Sequence, residues 1–185
     1  MMTRADEEFA DYIAARLPSL RWLAFLLCQD WHRADDLAQS AAVKAYRHWS
    51  KASSADNTDA YVNAIVVREF LHERRSAWAR RVSLTQLPEI AVSEADHDRS
   101  LDLQAAVAAL PPRQRAILVL RYYCDQNIYQ TADALGCTPG TIKSQTAKAL
   151  DTLRRVLGPA AGSEITSESV PAASAAAADG GAVHA

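Results

Sequence analysis

Apolar residues recur along this chain at spacings of three and four from about Glu7 to Leu157. That is the period of an amphipathic helix, not of a strand. Phe9, Tyr12, Ile13 and Leu17 form a first stripe. Pro18 interrupts it, so the pattern predicts one helix ending there and a second starting at Pro18 or Ser19. The second, "LRWLAFLLC", is apolar nearly all round and is expected at the centre of a bundle. A third helix covers "DWHRADDLAQSAAVKAYRHW", with Ala34, Leu37, Ala38, Ala41, Ala42, Ala45 and Tyr46 on or beside its inner face. Asp35, Asp36 and Gln39 lie on its outer side. "SKASSADNTDA" reads as a polar loop in which Thr58 or Asp59 caps a fourth helix, "AYVNAIVVREFLHERRSAWARR". Tyr61, Ile65, Val66, Phe70 and Leu71 face inward on that helix, and Arg68, His72, Arg75 and Arg81 spread over the rest.

The periodicity then stops. Residues 82–100 contain Pro88 and no long repeat, and they read as a flexible linker. It resumes in "LDLQAAVAAL", which ends at Pro111-Pro112, and in "PPRQRAILVLRYYCD", where proline in the first turn sacrifices no hydrogen bond. "IYQTADALG" is a short helix closed by Gly136. Thr138 caps the last helix, which has Pro139 at its first position and runs to about Leu157. Residues 158–185 are rich in alanine and serine, lack large apolar side chains, and are expected to be disordered. The chain is therefore expected to be all-α, with two small helical domains at 6–81 and 101–157, a linker at 82–100 and a tail at 158–185.

The net charge of −2 argues on its face against a nucleic-acid partner, but the distribution of charge reverses that. Tyr61 to Arg81 carries five arginines against Glu69 and Glu73, and Arg113 to Arg155 carries seven basic residues against Asp125, Asp133 and Asp151. Between them, Val82 to Asp102 holds five carboxylates against Arg99. Two basic modules joined by an acidic connector suit a protein that touches an anionic polymer twice. Cys28, Cys124 and Cys137 are scattered and no CxxC pair exists, so they read as small buried or half-buried thiols rather than a disulfide framework or metal site. There is no Gly-rich phosphate loop and no metal-spaced His/Cys/Asp set. With no convincing nucleophile–base pair either, an enzyme is the weakest of the functional classes, and neither a cofactor nor a metal is implied. No apolar run approaches the roughly 20 residues of a membrane span, and the acidic start lacks an apolar signal core, so a cytoplasmic protein is expected.

The most specific local signal begins at Ile128. Counting it as first, Ala132 falls fifth, Gly136 ninth and Ile142 fifteenth. A helix-turn-helix needs a small residue where its two helices cross, a positive φ at the turn and an apolar anchor on the second helix. The helix from Pro139 could then enter a major groove. Thr141, Lys143, Ser144, Gln145 and Lys148 form its exposed set, in which Gln can pair with adenine and Lys with guanine. Arg113, Arg115 and Arg121 precede the motif as candidate phosphate contacts.

In this order the parts resemble a bacterial RNA polymerase sigma factor of the extracytoplasmic-function group, close to the SigE-like subfamily of actinobacteria. "LPPRQRAILVLRYY" with "ALGCTPGTIKSQTAKALDTLR" is similar to region 4, and "WLAFLLCQDWHRADDLAQSAAVKAYRHW" with "DAYVNAIVVREFLHERRSAWARR" to region 2. The resemblance implies a sigma factor that binds core polymerase and directs promoter-specific initiation. Asp35, Asp36 and Gln39 would face the clamp helices of the largest subunit, and the β flap would be a second polymerase contact. Trp49, Asn57, Tyr61, Arg68, His72, Arg75 and Trp78 would engage the −10 strand, whose extruded base calls for stacking and cation contacts. Arg121, Thr138, Thr141, Lys143, Ser144, Gln145 and Lys148 would serve the −35 duplex, and the acidic linker would run through the polymerase cleft. Arg68 stands where many relatives have asparagine, and Gln145 and Lys148 replace frequent arginines, which implies an atypical promoter. An anti-sigma protein and a protease acting on the tail are the candidate regulators. A standalone helix-turn-helix regulator is the competing reading, though it leaves the first domain without a task.

Overall fold

The structure is a computed structural model, and it describes residues 3–83 and 99–157, with side chains described for 3–77 and 103–157. Its elements are α1 (Arg4–Cys28), α2 (Trp31–Arg47), α3 (Trp49–Ser53), α4 (Thr58–Ser83), α5 (Arg99–Ala109), α6 (Pro112–Leu118), a π-helical turn (Val119–Tyr123), α7 (Ile128–Leu135) and α8 (Pro139–Leu157). No strand occurs among the described residues. Most of the expected linker and the whole C-terminal tail lie outside them.

Pro18 does not divide the first helix. α1 is continuous through it, opened by a capping box between Thr3 and Asp6 and closed at Gln29 in the left-handed region. Pro18 removes one N–H, whose partner would be the carbonyl of Ala14. Both residues are exposed, so water can satisfy that carbonyl. Burial on either side of the proline holds the helix together: Phe9, Tyr12 and Ile13 before it, and Leu20, Leu23, Ala24 and Leu27 after it, join one apolar cluster. The expected polar loop also yields a short helix, α3, which carries the buried Trp49. Its end leads to Asn57, whose Oδ1 accepts from the N–H of Ala60 at 2.8 Å. The cap of α4 is therefore Asn57; Thr58 and Asp59 already belong to the helix.

α2 buries Ala34, Leu37, Ala38, Ala41 and Ala45 as its spacing predicts. Tyr46 is the exception. It lies about half exposed, packs against Phe9 and donates its hydroxyl to Asp6 at 2.6 Å. α4 is buried beyond its expected stripe, since Val62, Asn63, Ala64 and Val67 are covered as well as Ile65, Val66 and Phe70. The reason is that α4 packs on two sides. α1 and α2 cover one, and Ala116, Val119, Leu120 and Ala134 from the second half enter the same cluster on the other.

The second half keeps two smaller clusters of its own. Ala106, Leu110, Leu118, Ala149 and Leu153 tie α5 and α6 to α8. Ile117, Ala132 and Ile142 form the heart of the helix-turn-helix, with Ile128, Leu135 and Cys137 around them. The helix expected through Tyr123 changes pitch after Leu118, where Cys124 N–H reaches back five residues to the Val119 carbonyl at 3.0 Å.

Candidate nucleic-acid interface

The helix-turn-helix has the geometry its spacing implies. Ala132 is 3% exposed at the crossing, Gly136 sits at φ +59° and Ile142 is fully buried. Asn127 caps α7 through a reciprocal box with Gln130. Thr138 Oγ1 accepts from Thr141 N–H at 3.2 Å and lies 3.0 Å from Thr141 Oγ1. These bonds hold the first turn of α8 and half-bury Thr141. Lys143, Ser144 and Lys148 are exposed on one face of α8. Gln145 is half-buried, and its Oε1 accepts from Gln114 Nε2 of α6 at 3.2 Å. Gln114 orients the Gln145 amide from outside the motif, and motif spacing gives no sign of it. Arg121 is half-buried in the π turn, its guanidinium 5.8 Å from the centre of the Tyr122 ring, and Arg113 is exposed.

Arg115 is not a phosphate contact. It is 4% exposed, and its guanidinium donates to four carbonyls: Leu27 at 2.6 Å, Val107 at 3.1 Å, Leu110 at 3.2 Å and Ala108. Burial, with help from Arg74, pushes its pKa down to about 10, still protonated at neutral pH.

In the first half a cleft of about 500 Å³ opens where α3 meets α4, lined by Tyr12, Trp49, Ser53, Asp56, Asn57, Thr58 and Asp59. Two of the expected −10 residues, Trp49 and Asn57, are in it. Trp49 is 8% exposed and wedged between Phe9 and Tyr12, with ring centres 5.3 and 5.1 Å away, so it forms a wall. Tyr12 donates its hydroxyl to Asp59 at 2.9 Å, and Asp59 also pairs with Arg16 at 3.2 Å. Burial, then the bond to Asp59, drives the Tyr12 phenol well above its ordinary range and keeps it a neutral donor. Tyr12 and Asp59 were not among the expected site residues. Only the fold brings Tyr12 across to α4.

The other expected −10 residues stand apart from this cleft. Tyr61 is half-buried against the core. Arg68, His72 and Arg75 are exposed further along α4. At 1.5 Å per residue, Arg68 lies about 16 Å along the helix from Asn57. It is not free: Nε donates to the Ala134 carbonyl at 2.7 Å and Nη2 to that of Asp133 at 3.2 Å. The Trp78 side chain lies outside the described residues.

On α2, Asp36 and Gln39 are exposed, and among the described residues neither carries a side-chain hydrogen bond or ion pair. Asp35 is engaged by Arg21 through two bonds of 2.5 and 3.1 Å, which hold its carboxyl below the usual range. Beside this pair Phe25 stacks on Trp31 at 4.2 Å and Trp22 leans on both, with Trp22 36% and Trp31 45% exposed. The helix expected at the bundle centre thus presents an aromatic shelf at the surface, next to the acidic face.

Comparison with known proteins matches these parts in the same order. Residues 12–80 match the family described as sigma-70 region 2, and residues 100–153 match sigma-70, region 4. Over 153 residues the chain is 33% identical to the RNA polymerase sigma-E factor of Streptomyces avermitilis, covering 81% of this chain and 85% of the relative. It is 31% identical over 140 residues to the ECF RNA polymerase sigma factor SigM of Mycobacterium tuberculosis, covering 75% and 71%. Among solved structures it is similar in fold to the sigma factor RpoE in a co-crystal with the anti-sigma factor NepR from Bartonella quintana. The TM-score is 0.68 at 24% identity, covering 82% of this chain and 97% of that one.

Proposed function

Since the chain belongs to the sigma-70 family, as an extracytoplasmic-function sigma factor of the actinobacterial SigE type, we propose which of its surfaces carry out promoter-specific initiation. Region 2 docks on core RNA polymerase through α2, with Asp36 and Gln39 offered to a basic coiled coil and the aromatic shelf of Trp22, Phe25 and Trp31 flanking them. The cleft at the start of α4 receives an extruded base of the −10 strand. Its Asn57 and the neutral Tyr12 hydroxyl supply polar contacts, and Trp49 forms an apolar wall. Region 4 places α8 in the major groove of the −35 element, where Gln145 reads a base and Lys143 and Lys148 contact phosphate or guanine. The protein is a cytoplasmic binding subunit; the chemistry belongs to the polymerase.

The observation that carries this reading is the pairing of an ordered helix-turn-helix with an aromatic-walled cleft on a separate half of the chain. A standalone regulator needs the first and has no use for the second. Run-off transcription with purified core polymerase is the test. Specific initiation on adding this protein is the expected result. Specific duplex binding by the free chain with no initiation would overturn it.

A further inference from the structure

The bonds already made where α3 meets α4 decide what that cleft can still offer an occupant. The Tyr12 hydroxyl donates its proton to Asp59 at 2.9 Å, and Asp59 also takes Arg16 at 3.2 Å. Ser53 turns its hydroxyl proton to the Ser50 carbonyl at 3.4 Å. Asn57 gives its Oδ1 to the Ala60 N–H at 2.8 Å, which leaves its Nδ2 as a donor. Thr58 adds a hydroxyl that serves as donor or acceptor alike and so discriminates little. Asp56 lines the same cleft and is exposed, and among the described residues it carries no side-chain hydrogen bond or ion pair. The selective capacity left over is a carboxylate with two acceptor oxygens and, next to it in the chain, one amide donor.

We propose that Asp56 sets the base identity at the extruded position of the −10 strand, and that the base is guanine. The proposal rests on the reading of this cleft as the site of that base. A carboxylate accepts through two oxygens side by side. Guanine alone among the four bases carries two adjacent donors on one edge, N1–H and the 2-amino group, and these meet both oxygens in charge-assisted bonds. Its O6, next along that edge, is an acceptor for Asn57 Nδ2. Adenine and cytosine place one amino group beside a ring-nitrogen acceptor, so the second oxygen of Asp56 meets a lone pair. Thymine holds one N–H between two carbonyls and meets the same opposition. A site built of acceptors rejects a base without the matching donors, because its own groups are then left unpaired. Asp56 also stands just ahead of Asn57, the cap of α4, where a carboxylate is favoured by the helix dipole. That second role bears on stability and is indifferent to the base.

The experiment uses holoenzyme assembled from the full chain and core polymerase, on a promoter from which it initiates. Each position of the −10 strand is replaced in turn by an abasic site, and open-complex formation is measured. The position of greatest loss is the extruded one. Guanine, inosine, adenine, cytosine and thymine are then placed there. Guanine should open best and the three other natural bases about tenfold worse, the scale of one good bidentate pair. Inosine, which is guanine without the 2-amino group, should fall between them. Asp56→Asn offers one acceptor and one donor in place of two acceptors. It should level the five bases and leave core affinity unchanged. If no abasic site matters, the reading of the cleft falls and this proposal with it. If one position needs a base and guanine is not preferred there, the proposal falls and the reading of the cleft stands. A guanine preference that survives in Asp56→Asn likewise overturns the assignment to Asp56.

Discussion

Gln114 of α6 donates its side-chain amide to Gln145 of α8, fixing which end of the Gln145 amide turns outward. A glutamine reads adenine by offering a donor and an acceptor together, so its orientation is part of its specificity. Gln145→Ala should cost about 1–3 kcal/mol at one base pair of the −35 element and relax preference there. Gln114→Ala should relax the same position by less and leave every other position unchanged. Lys148→Ala should weaken binding to all sequences alike and reduce the salt dependence by about one ion. Holoenzyme binding to a panel of single-substituted −35 duplexes at two salt concentrations checks all three.

Asn57 has two tasks that can be pulled apart. Its Oδ1 caps α4, and its side chain lines the cleft. Asn57→Ala removes both, with a stability loss of about 1 kcal/mol and slower promoter opening. Asn57→Asp keeps a capping oxygen and gains from the helix dipole, so stability is held or raised. It also puts a negative charge in the cleft proposed to receive the anionic −10 strand. Thermal denaturation should therefore rank aspartate with the wild type, and strand opening followed by 2-aminopurine fluorescence should rank it with alanine. Matching ranks in both measurements would remove Asn57 from the −10 site.

The acidic face of α2 is not uniform. Asp35 is held by Arg21, so its charge is already answered, while Asp36 stands exposed. Asp36→Arg should lower core polymerase affinity more than Asp35→Arg, with circular dichroism unchanged in both. Acidification distinguishes them further. The folded pKa of Asp35 lies below its ordinary 3.8, because Arg21 stabilises the carboxylate. Its contribution to stability is therefore complete above that value and fades as pH falls through the folded pKa. Asp6 behaves alike through its bond with Tyr46. Asp35→Asn should lose the Asp35 part of the acid limb of the stability curve, and Asp36→Asn should keep it.

Much of this was legible in the sequence because it is local. Ala132, Gly136 and Ile142 declare the helix-turn-helix by spacing, since each answers a demand within twenty residues of chain. The inner face of α2 follows in the same way from alanines at helical intervals. What escaped depends on the partner across the core. Asn63, Ala64 and Val67 fall outside the stripe of Ile65, Val66 and Phe70, and they are buried because helices pack on more than one side of α4. Pro18 reads as a break unless the burial on both sides of it is known. Tyr12 is forty-seven residues from the Asp59 it bonds, and no spacing rule reaches that far. Arginine is the hardest case. Arg68 and Arg115 count toward a basic surface in any charge tally, yet both are directed at helix ends.

Arg115 offers a direct measure of that last point. Its guanidinium joins α1 to the end of α5, through the carbonyls of Leu27, Val107, Ala108 and Leu110. Arg115→Met fills similar space and removes every donor. The carbonyls at the end of α5 then face an apolar side chain, and a loss of about 3 kcal/mol is expected, the scale of a buried hydrogen-bonding charge. Arg115→Lys keeps the charge but places it on a single ammonium, which cannot reach four acceptors spread across two helix ends. It should recover less than half of that loss. A surface phosphate contact would behave in the opposite way: lysine would substitute well, and methionine would leave stability intact while weakening DNA binding. Chemical denaturation of the three proteins, set beside their affinity for a −35 duplex in holoenzyme, decides between the two roles.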